Sequence, residues 1–160
     1  MATRSAIAVE YGNVIKGIYC HWDGYPSHNG AILQEHYTRP KASNLIALGD
    51  LSSLRKNIGE AHPFSKYEVE KDNPDFDKLV ELYERAEAEE WCTFYGRDRG
   101  EENTSWKTFN SRDEFVEAFD GNGCEYFYLL DNDGVWHVNA YGRGWELLTE
   151  CLRRQEEEAA

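Results

Sequence analysis

The chain has 160 residues, of which 30 are acidic and 17 basic, giving a formal net charge of −13. Duplex DNA and anionic membranes repel so acidic a chain, so we expect neither direct nucleic-acid binding nor membrane binding. Hydrophobic residues make up 41% and aromatic residues 14%, which suffices for the core of a single domain over residues 1–160.

Predicted elements of the first half are, in chain order, a strand over 5–11, a turn at Gly12–Asn13, a strand over 14–19, a helix from Gly30 to near Pro40, a helix over 41–48 and a long polar loop over 51–73. Gly-Asn between two β-rich runs is a strong hairpin signal. Apolar residues change to helical spacing after Gly30, and Gly49 is a typical helix stop.

Predicted elements of the second half are a helix that Asn73-Pro74 opens and that runs to about Glu90, strands over 91–96 and 106–109, a helix from Ser111 to Gly121, strands over 125–130 and 135–141, and a helix over 145–155. We expect residues 156–160 to be frayed. Hairpins outnumber crossovers in this order. The sequence therefore predicts an α+β fold, with a mostly antiparallel sheet built from hairpins and helices packed on it.

The four cysteines, at positions 20, 92, 124 and 151, are far apart and form no C-x-x-C pair. Zinc fingers and redox dithiols lack their usual spacing here, so we expect no metal, no cofactor and no disulfide. No secretory signal opens the chain, and no apolar run approaches the ~18 residues of a membrane span. We therefore expect a cytosolic protein with free thiols.

A first candidate site is the segment Tyr19-Cys-His-Trp-Asp-Gly-Tyr-Pro26, where a strand gives way to a turn. Loops after strands commonly present binding groups. His21 and Asp23 lie two apart, so on an extended strand both side chains point to one face, with Trp22 opposite. A carboxylate beside an imidazole is typical of an oriented general base, but it equally fits a turn cap and one buried hydrogen bond. The candidate ligand-binding residues of this segment are His21, Trp22, Asp23 and Tyr25.

The first hairpin also predicts that Thr3, Arg4 and Ser5 lie beside residues 21–23, which adds a cation to this site. A second cluster, Tyr95-Gly-Arg-Asp-Arg-Gly100, follows a predicted strand. Guanidinium donors match phosphate or carboxylate, although the cluster lacks the spacing of a nucleotide-binding glycine loop. The candidate ligand-binding residues of this cluster are Tyr95, Arg97, Asp98 and Arg99. The alternative is a surface turn in which Asp98 pairs with an arginine.

Four segments carry a resemblance: Thr3-Arg-Ser5, residues 19–26, Leu45-Ile-Ala-Leu-Gly-Asp-Leu-Ser52 and Thr93-Phe-Tyr-Gly-Arg-Asp-Arg-Gly100. Together they resemble a family of small proteins encoded by tailed bacteriophages and related mobile elements, over most of the chain. The resemblance implies an accessory protein made in the cytoplasm of an infected bacterial host. Accessory proteins of this class often block host defence or redirect host machinery. The resemblance does not imply a particular mechanism.

Three functions fit these observations. The leading hypothesis is a non-enzymatic counter-defence binder that sequesters a small anionic, nucleotide-derived ligand, with rings stacked on the base and Arg4, Arg97 and Arg99 on the phosphates. The first alternative is an acidic protein inhibitor that docks on a host nucleic-acid-binding defence protein. The second is a small nucleotide hydrolase or transferase that uses His21 and Asp23. Because the aromatic content exceeds what one small core needs, we also expect a homodimer or larger homo-oligomer.

Overall fold

A computed structural model describes residues 2–159, in which eight β-strands form one mixed sheet and six α-helices surround it. The strands are β1 (Ser5–Tyr11), β2 (Val14–Cys20), β3 (Leu51–Ser53), β4 (Thr93–Phe94), β5 (Lys107–Phe109), β6 (Tyr126–Leu130), β7 (Trp136–Ala140) and β8 (Trp145–Leu147). The helices are α1 (Ala31–His36), α2 (Arg39–Ala47), α3 (Phe76–Ala88), α4 (Tyr95–Arg99), α5 (Arg112–Asp120) and α6 (Leu148–Ala159). Two short helical turns, Pro26–Gly30 and Lys66–Glu68, complete the secondary structure.

The strand order is β4-β3-β2-β1-β6-β7-β8, and β5 pairs with β2 beside this path. The α+β class is confirmed, but a mostly antiparallel sheet is only partly right, because β1 pairs parallel with β6 and β2 pairs parallel with β3. Hairpin signals report only pairings between neighbours in sequence. The parallel pairing of β1 is indicated instead by the apolar run from Ala6 to Val9. These residues are fully buried on both faces, as is typical of a strand with a parallel partner.

Alternate residues of the central strands build two separate cores. On one face, Ile7 and Val9 pack with side chains of α1, α2 and α6. On the other face, Ala6 and Ala8 pack with Phe115 and Phe119 of α5 and with Phe127 and Leu129 of β6. The sheet is therefore covered on both sides, and α5 is the helix that contributes to the second core.

The predicted hairpins and the predicted helix cap are confirmed. β1 and β2 pair in register from Ser5↔Cys20 to Tyr11↔Val14, and β6 pairs with β7 around the turn at 131–134. The two turns also bind each other, since the Gly12 N–H donates to Oδ1 of Asn132 at 2.8 Å. At the start of α5, the Glu114 N–H donates to the Ser111 hydroxyl at 3.1 Å, as expected of a capping box.

The predicted C-terminal helix begins too early. Residues 145–147 form strand β8, in which Trp145 pairs with Asn139 of β7, and the helix occupies Leu148–Ala159. Apolar residues at 145 and 148 fit helical spacing, but residues 145–147 instead form backbone hydrogen bonds with the free edge of β7. The helix also continues through the segment expected to be frayed, as far as Ala159, while Ala160 lies outside the described residues.

Other predicted boundaries are also wrong. The helix expected to reach Pro40 ends at His36, because Pro40 lies in the first turn of α2. The loop expected over 51–73 contains β3, and the strand expected over 91–96 is reduced to β4, because residues 95–99 form α4. Helix α3 begins at Phe76 instead of Pro74. The Asp75 N–H donates to Oδ1 of Asn73 at 2.8 Å, so Asn73 closes a turn before the helix. None of the helices within residues 2–159 combines the length and apolar character needed to cross a membrane.

Candidate functional site

The outer edge of β2 has two different partners, and the sheet divides between them. Gly17 pairs antiparallel with Lys107 of β5, whereas Cys20 pairs parallel with Leu51 of β3. Tyr19 lies between these two pairings, and its amide N–H donates to Oδ1 of Asp50 at 2.9 Å. We call this division, marked by Tyr19, Asp50 and Lys107, the fork. Clefts that a few polar groups line are common ligand sites, and the fork leaves a cleft of this kind between β3 and β5.

A cavity of about 280 Å³ opens at the fork. Its lining residues are Tyr19, Asp50, Lys107, Phe119 and Asn122. Helix α5 covers the adjoining part of this sheet face and ends at Asp120. The cavity therefore begins where the helix stops, and its volume is close to the lower end of the range for small-ligand pockets, roughly 300–1,000 Å³.

Arg4 and His21 lie beside this cavity, as the hairpin prediction required. The Tyr19 hydroxyl and Nδ1 of His21 are hydrogen-bonded at 2.7 Å. Nη1 of Arg4 donates to the Asn122 carbonyl at 3.2 Å. Burial, and after it the positive charge of Arg4, lowers the pKa of His21. Burial raises the pKa of Tyr19 to about 12, against the opposing effect of Arg4.

Asp50 is a half-buried carboxylate that the sequence did not single out. Burial raises its pKa, while the hydrogen bond from the Tyr19 N–H and the positive charge of Lys107 act in the opposite direction. Within residues 2–159 its second carboxylate oxygen has no hydrogen-bond partner, so that oxygen remains available to a ligand. Asp50 and Lys107 were not predicted as site residues, because they are brought together by strands that lie far apart in the sequence.

The predicted same-face pair of His21 and Asp23 is wrong. Strand β2 ends at Cys20, and Asp23 has a left-handed backbone with φ 54°, so the segment between them is not extended. The loop instead places the Trp22 ring against His21, with ring centroids 4.7 Å apart and nearly perpendicular planes. Trp22 and Tyr25 are 45% and 38% exposed, so both rings remain accessible for stacking.

Thr3 and Ser5 hold this loop in place. The Gly24 N–H donates to the Thr3 carbonyl at 2.8 Å. Ser5 is fully buried, and its hydroxyl accepts a hydrogen bond from Nδ2 of the buried Asn29 at 3.3 Å. A Cβ on Gly24 would lie 2.7 Å from that of Ser5, so only glycine fits there. Of the three residues predicted at this position, Arg4 alone is exposed at the surface.

Arg97 and Asp98 form a buried structural pair, which is the alternative that the sequence left open. Nε of Arg97 donates to Asp98 at 2.9 Å, and its two Nη groups donate to the carbonyls of Ile58 and Cys92 at 3.0 and 2.9 Å. The side chains of Arg97 and Asp98 are only 13% and 0% exposed. These bonds tie the 57–63 loop to the segment around β4, and they engage the donors that a phosphate would need.

The other residues of the second cluster divide between two places. Tyr95 borders the fork, because its N–H donates to the Asp50 carbonyl at 3.2 Å. Arg99 is exposed and pairs with Glu68 at 2.8 Å, with its guanidinium 4.1 Å from the Phe64 ring centroid. Since residues 95–99 form a helix, successive side chains leave it in different directions and cannot share one pocket.

A larger cavity of about 470 Å³ lies between the loop at 61–73 and helix α3. It is lined by apolar side chains and carboxylates, and its nearby arginines, Arg97 and Arg99, are already paired. Despite its size, this cavity does not suit an anion. The smaller cavity at the fork has two cations beside it, Arg4 and Lys107, together with the carboxylate of Asp50.

Comparisons with known proteins add no assignment to this geometry. No protein-family model, curated protein or solved structure matches the chain. Among residues 2–159, no three His, Cys, Asp or Glu side chains are grouped so that they could hold a metal ion. The four cysteines are free thiols, and all are buried.

Proposed function

We propose that the protein binds a small anionic, nucleotide-derived ligand at the fork and sequesters it without converting it. The observation that carries this proposal is the position of Arg4 and Lys107 beside one cavity, in a chain whose net charge is −13. The net negative charge of the chain repels anions, and the two cations beside the cavity create a local attraction for an anion there.

Asp50 extends the proposal from an anion to a nucleotide. Its available carboxylate oxygen accepts hydrogen bonds but would repel a bare phosphate. A ligand that offers an N–H group to Asp50 and a phosphate to Arg4 and Lys107 satisfies both charges, and a nucleotide has both groups. The exposed ring of Trp22, which packs against His21, and the ring of Tyr95 beside Asp50 supply surfaces on which a base stacks, whereas Tyr25 packs against His28 and does not line the cavity.

Binding is favoured over catalysis because the groups that would perform catalysis are not arranged for it. His21 is paired with the Tyr19 hydroxyl, and Asp23 lies beyond a left-handed turn. Burial raises the pKa values of Cys20 and Cys124 to about 12, so these thiols are poor nucleophiles. The hydrolase or transferase alternative therefore has no support from the described side chains.

The biological role that we propose rests on the resemblance to phage-encoded proteins. A sequestering protein in the cytoplasm of an infected bacterium removes a nucleotide signal on which a host defence system depends. A homo-oligomer suits this role, because a short chain encloses a ligand more completely when two copies share the pocket.

Titration calorimetry with inorganic phosphate, AMP and GMP as probes tests the proposed site. We expect saturable binding of at least one nucleotide, weakened by about 1.5–3 kcal/mol in Lys107→Ala and in Arg4→Ala. Asp50→Asn should retain phosphate binding but lose part of the preference for nucleotide over phosphate.

Lys16→Ala is the matched control for these variants. Lys16 lies on β2, the strand that carries Tyr19, but its ammonium is 5.3 and 5.2 Å from the ring centroids of Tyr11 and Trp106, and it does not line the cavity. Its loss removes the same charge and should leave affinity unchanged. Absence of saturable binding for every probe, or equal weakening by Lys16→Ala, would contradict the proposal.

A further inference from the structure

The cavity between the 61–73 loop and α3 shares no lining residue with the cavity at the fork. Its apolar lining residues are Ala61, Pro63, Phe64, Val69, Leu79 and Leu82. At about 470 Å³ it is large enough for a bulky side chain of a partner. Leu79 and Leu82 of α3 contribute to this lining and are only half-buried.

The inner wall of this cavity is held rigidly. Asp98 accepts hydrogen bonds from the N–H groups of His62 and Phe94 at 3.1 and 2.7 Å, in addition to its pair with Arg97. Both ring nitrogens of His62 lie 2.9 Å from carbonyl oxygens, those of Pro63 and Cys92. A wall fixed in this way does not collapse to fill the space, which is a requirement for a preformed binding site.

The surroundings of the cavity are strongly acidic. Residues 60–90 contain eleven acidic and four basic residues, a net charge of −7 and more than half of the −13 of the whole chain. The outward face of α3 carries Glu81, Glu84 and Glu87, all exposed. Of the two glutamates that line the cavity, Glu68 is paired with Arg99, whereas Glu70 has no ion pair within residues 2–159.

We propose that this cavity receives an apolar side chain from a basic segment of a partner protein. The apolar walls select the inserted side chain, and the surrounding carboxylates select lysines and arginines on either side of it. Tyr67, which is 96% exposed next to the lining residue Glu68, adds a large ring to the contact surface. The site is independent of the nucleotide pocket at the fork.

An extended basic segment fits better than the other occupants. A metal cation needs several ligands that converge on one point, and no three His, Cys, Asp or Glu side chains within residues 2–159 are grouped in that way. The negative charge is instead spread along α3 and the adjoining loop. A second copy of this chain would bring a further net charge of −13 to an already acidic surface. A basic partner gains both from burial of its apolar residue and from attraction to this field.

Fluorescence anisotropy with short synthetic peptides tests this inference. The probes are a lysine-rich peptide with one central leucine, and the same peptide with serine in place of the leucine. We expect the leucine peptide to bind about tenfold more tightly, because only its side chain fills the cavity. Leu82→Gln should remove this difference while leaving the weaker, charge-driven binding of both peptides.

Glu70→Lys tests the contribution of the negative charge at the cavity, and it should weaken binding of the leucine peptide by about tenfold. Glu117→Lys on α5 is the matched control, since it changes the net charge equally at an exposed position that does not line the cavity. Melting temperatures establish that each variant is folded. Equal binding of both peptides, equal effects of the two charge reversals, or self-association of the wild type that Glu70→Lys abolishes would overturn the proposal.

Discussion

The Tyr19 hydroxyl of β2 lies 2.7 Å from Nδ1 of His21, the first residue after that strand. Because the backbone N–H of Tyr19 also binds Asp50, this residue links the imidazole to the carboxylate at the fork. Tyr19 therefore connects His21, against which the exposed Trp22 ring packs, to the cavity that Asp50 and Lys107 line. It also makes His21 a reporter of the electrostatics around Arg4.

The free energy of unfolding should depend on pH through His21. Its pKa in the folded protein is lowered from the ordinary 6.5, first by burial and then by Arg4. The unfolded chain therefore binds the proton more readily, so His21 contributes a loss of stability as the pH falls from 6.5 towards the lowered value. Arg4→Ala removes the nearby positive charge and should raise the His21 pKa in an NMR titration. An unchanged His21 titration in Arg4→Ala would show that the two groups do not interact.

Arg97→Ala should destabilise the protein strongly. The substitution leaves the fully buried Asp98 carboxylate without the Arg97 cation and removes one donor from each of the carbonyls of Ile58 and Cys92, at an expected cost of about 3–5 kcal/mol. Arg99→Ala is the comparison, since its exposed pair with Glu68 should be worth less than about 1 kcal/mol. Urea denaturation measures both. Similar midpoints for Arg97→Ala and the wild type would contradict the structural role of Arg97.

Gly24→Ala should distort the loop that carries Trp22. Its Cβ would lie 2.7 Å from the Ser5 Cβ and 2.8 Å from the Thr3 carbonyl oxygen, which predicts a loss of about 1–3 kcal/mol in stability. At Gly121 the nearest atom would be 3.4 Å from an added Cβ, so Gly121→Ala should be close to neutral. Thermal melts of both variants check this difference, and equal melting temperatures would show that the loop adapts.

The protein should be a homodimer or larger at micromolar concentration. Two copies that share a pocket enclose a ligand with rings that a single short chain leaves exposed, such as Trp22 and Tyr25. Light scattering coupled to size-exclusion chromatography measures the mass in solution. A mass equal to that of one chain would refute this prediction without affecting the position of the fork.

The sequence predicted those structural features that depend only on residues close together in the chain. The Gly12–Asn13 turn and the Ser111 cap need only a few neighbouring residues, so their signals are local. The fork depends on β3, which has three residues and meets β2 at the single pair Cys20↔Leu51. No pattern in so short a segment reveals its partner.

The same limit explains the assignment of Arg97. Its residue type predicts a partner with oxygen acceptors, but not whether that partner is a ligand or the protein itself. Here the acceptors are Asp98 and distant carbonyls. Arg4 was placed correctly because a hairpin, a local structure, fixes its position beside His21.

The most direct test of the central claim is to identify what the protein retains from an infected cell. Wild type, Lys107→Ala and Lys16→Ala are each incubated with lysate from phage-challenged bacteria, washed and heat-denatured, and the released small molecules are analysed by mass spectrometry. We predict that wild type and Lys16→Ala release the same phosphorylated nucleotide-derived compound and that Lys107→Ala releases little of it. Release of no small anion by the wild type, or of equal amounts by Lys107→Ala, would contradict ligand sequestration at the fork.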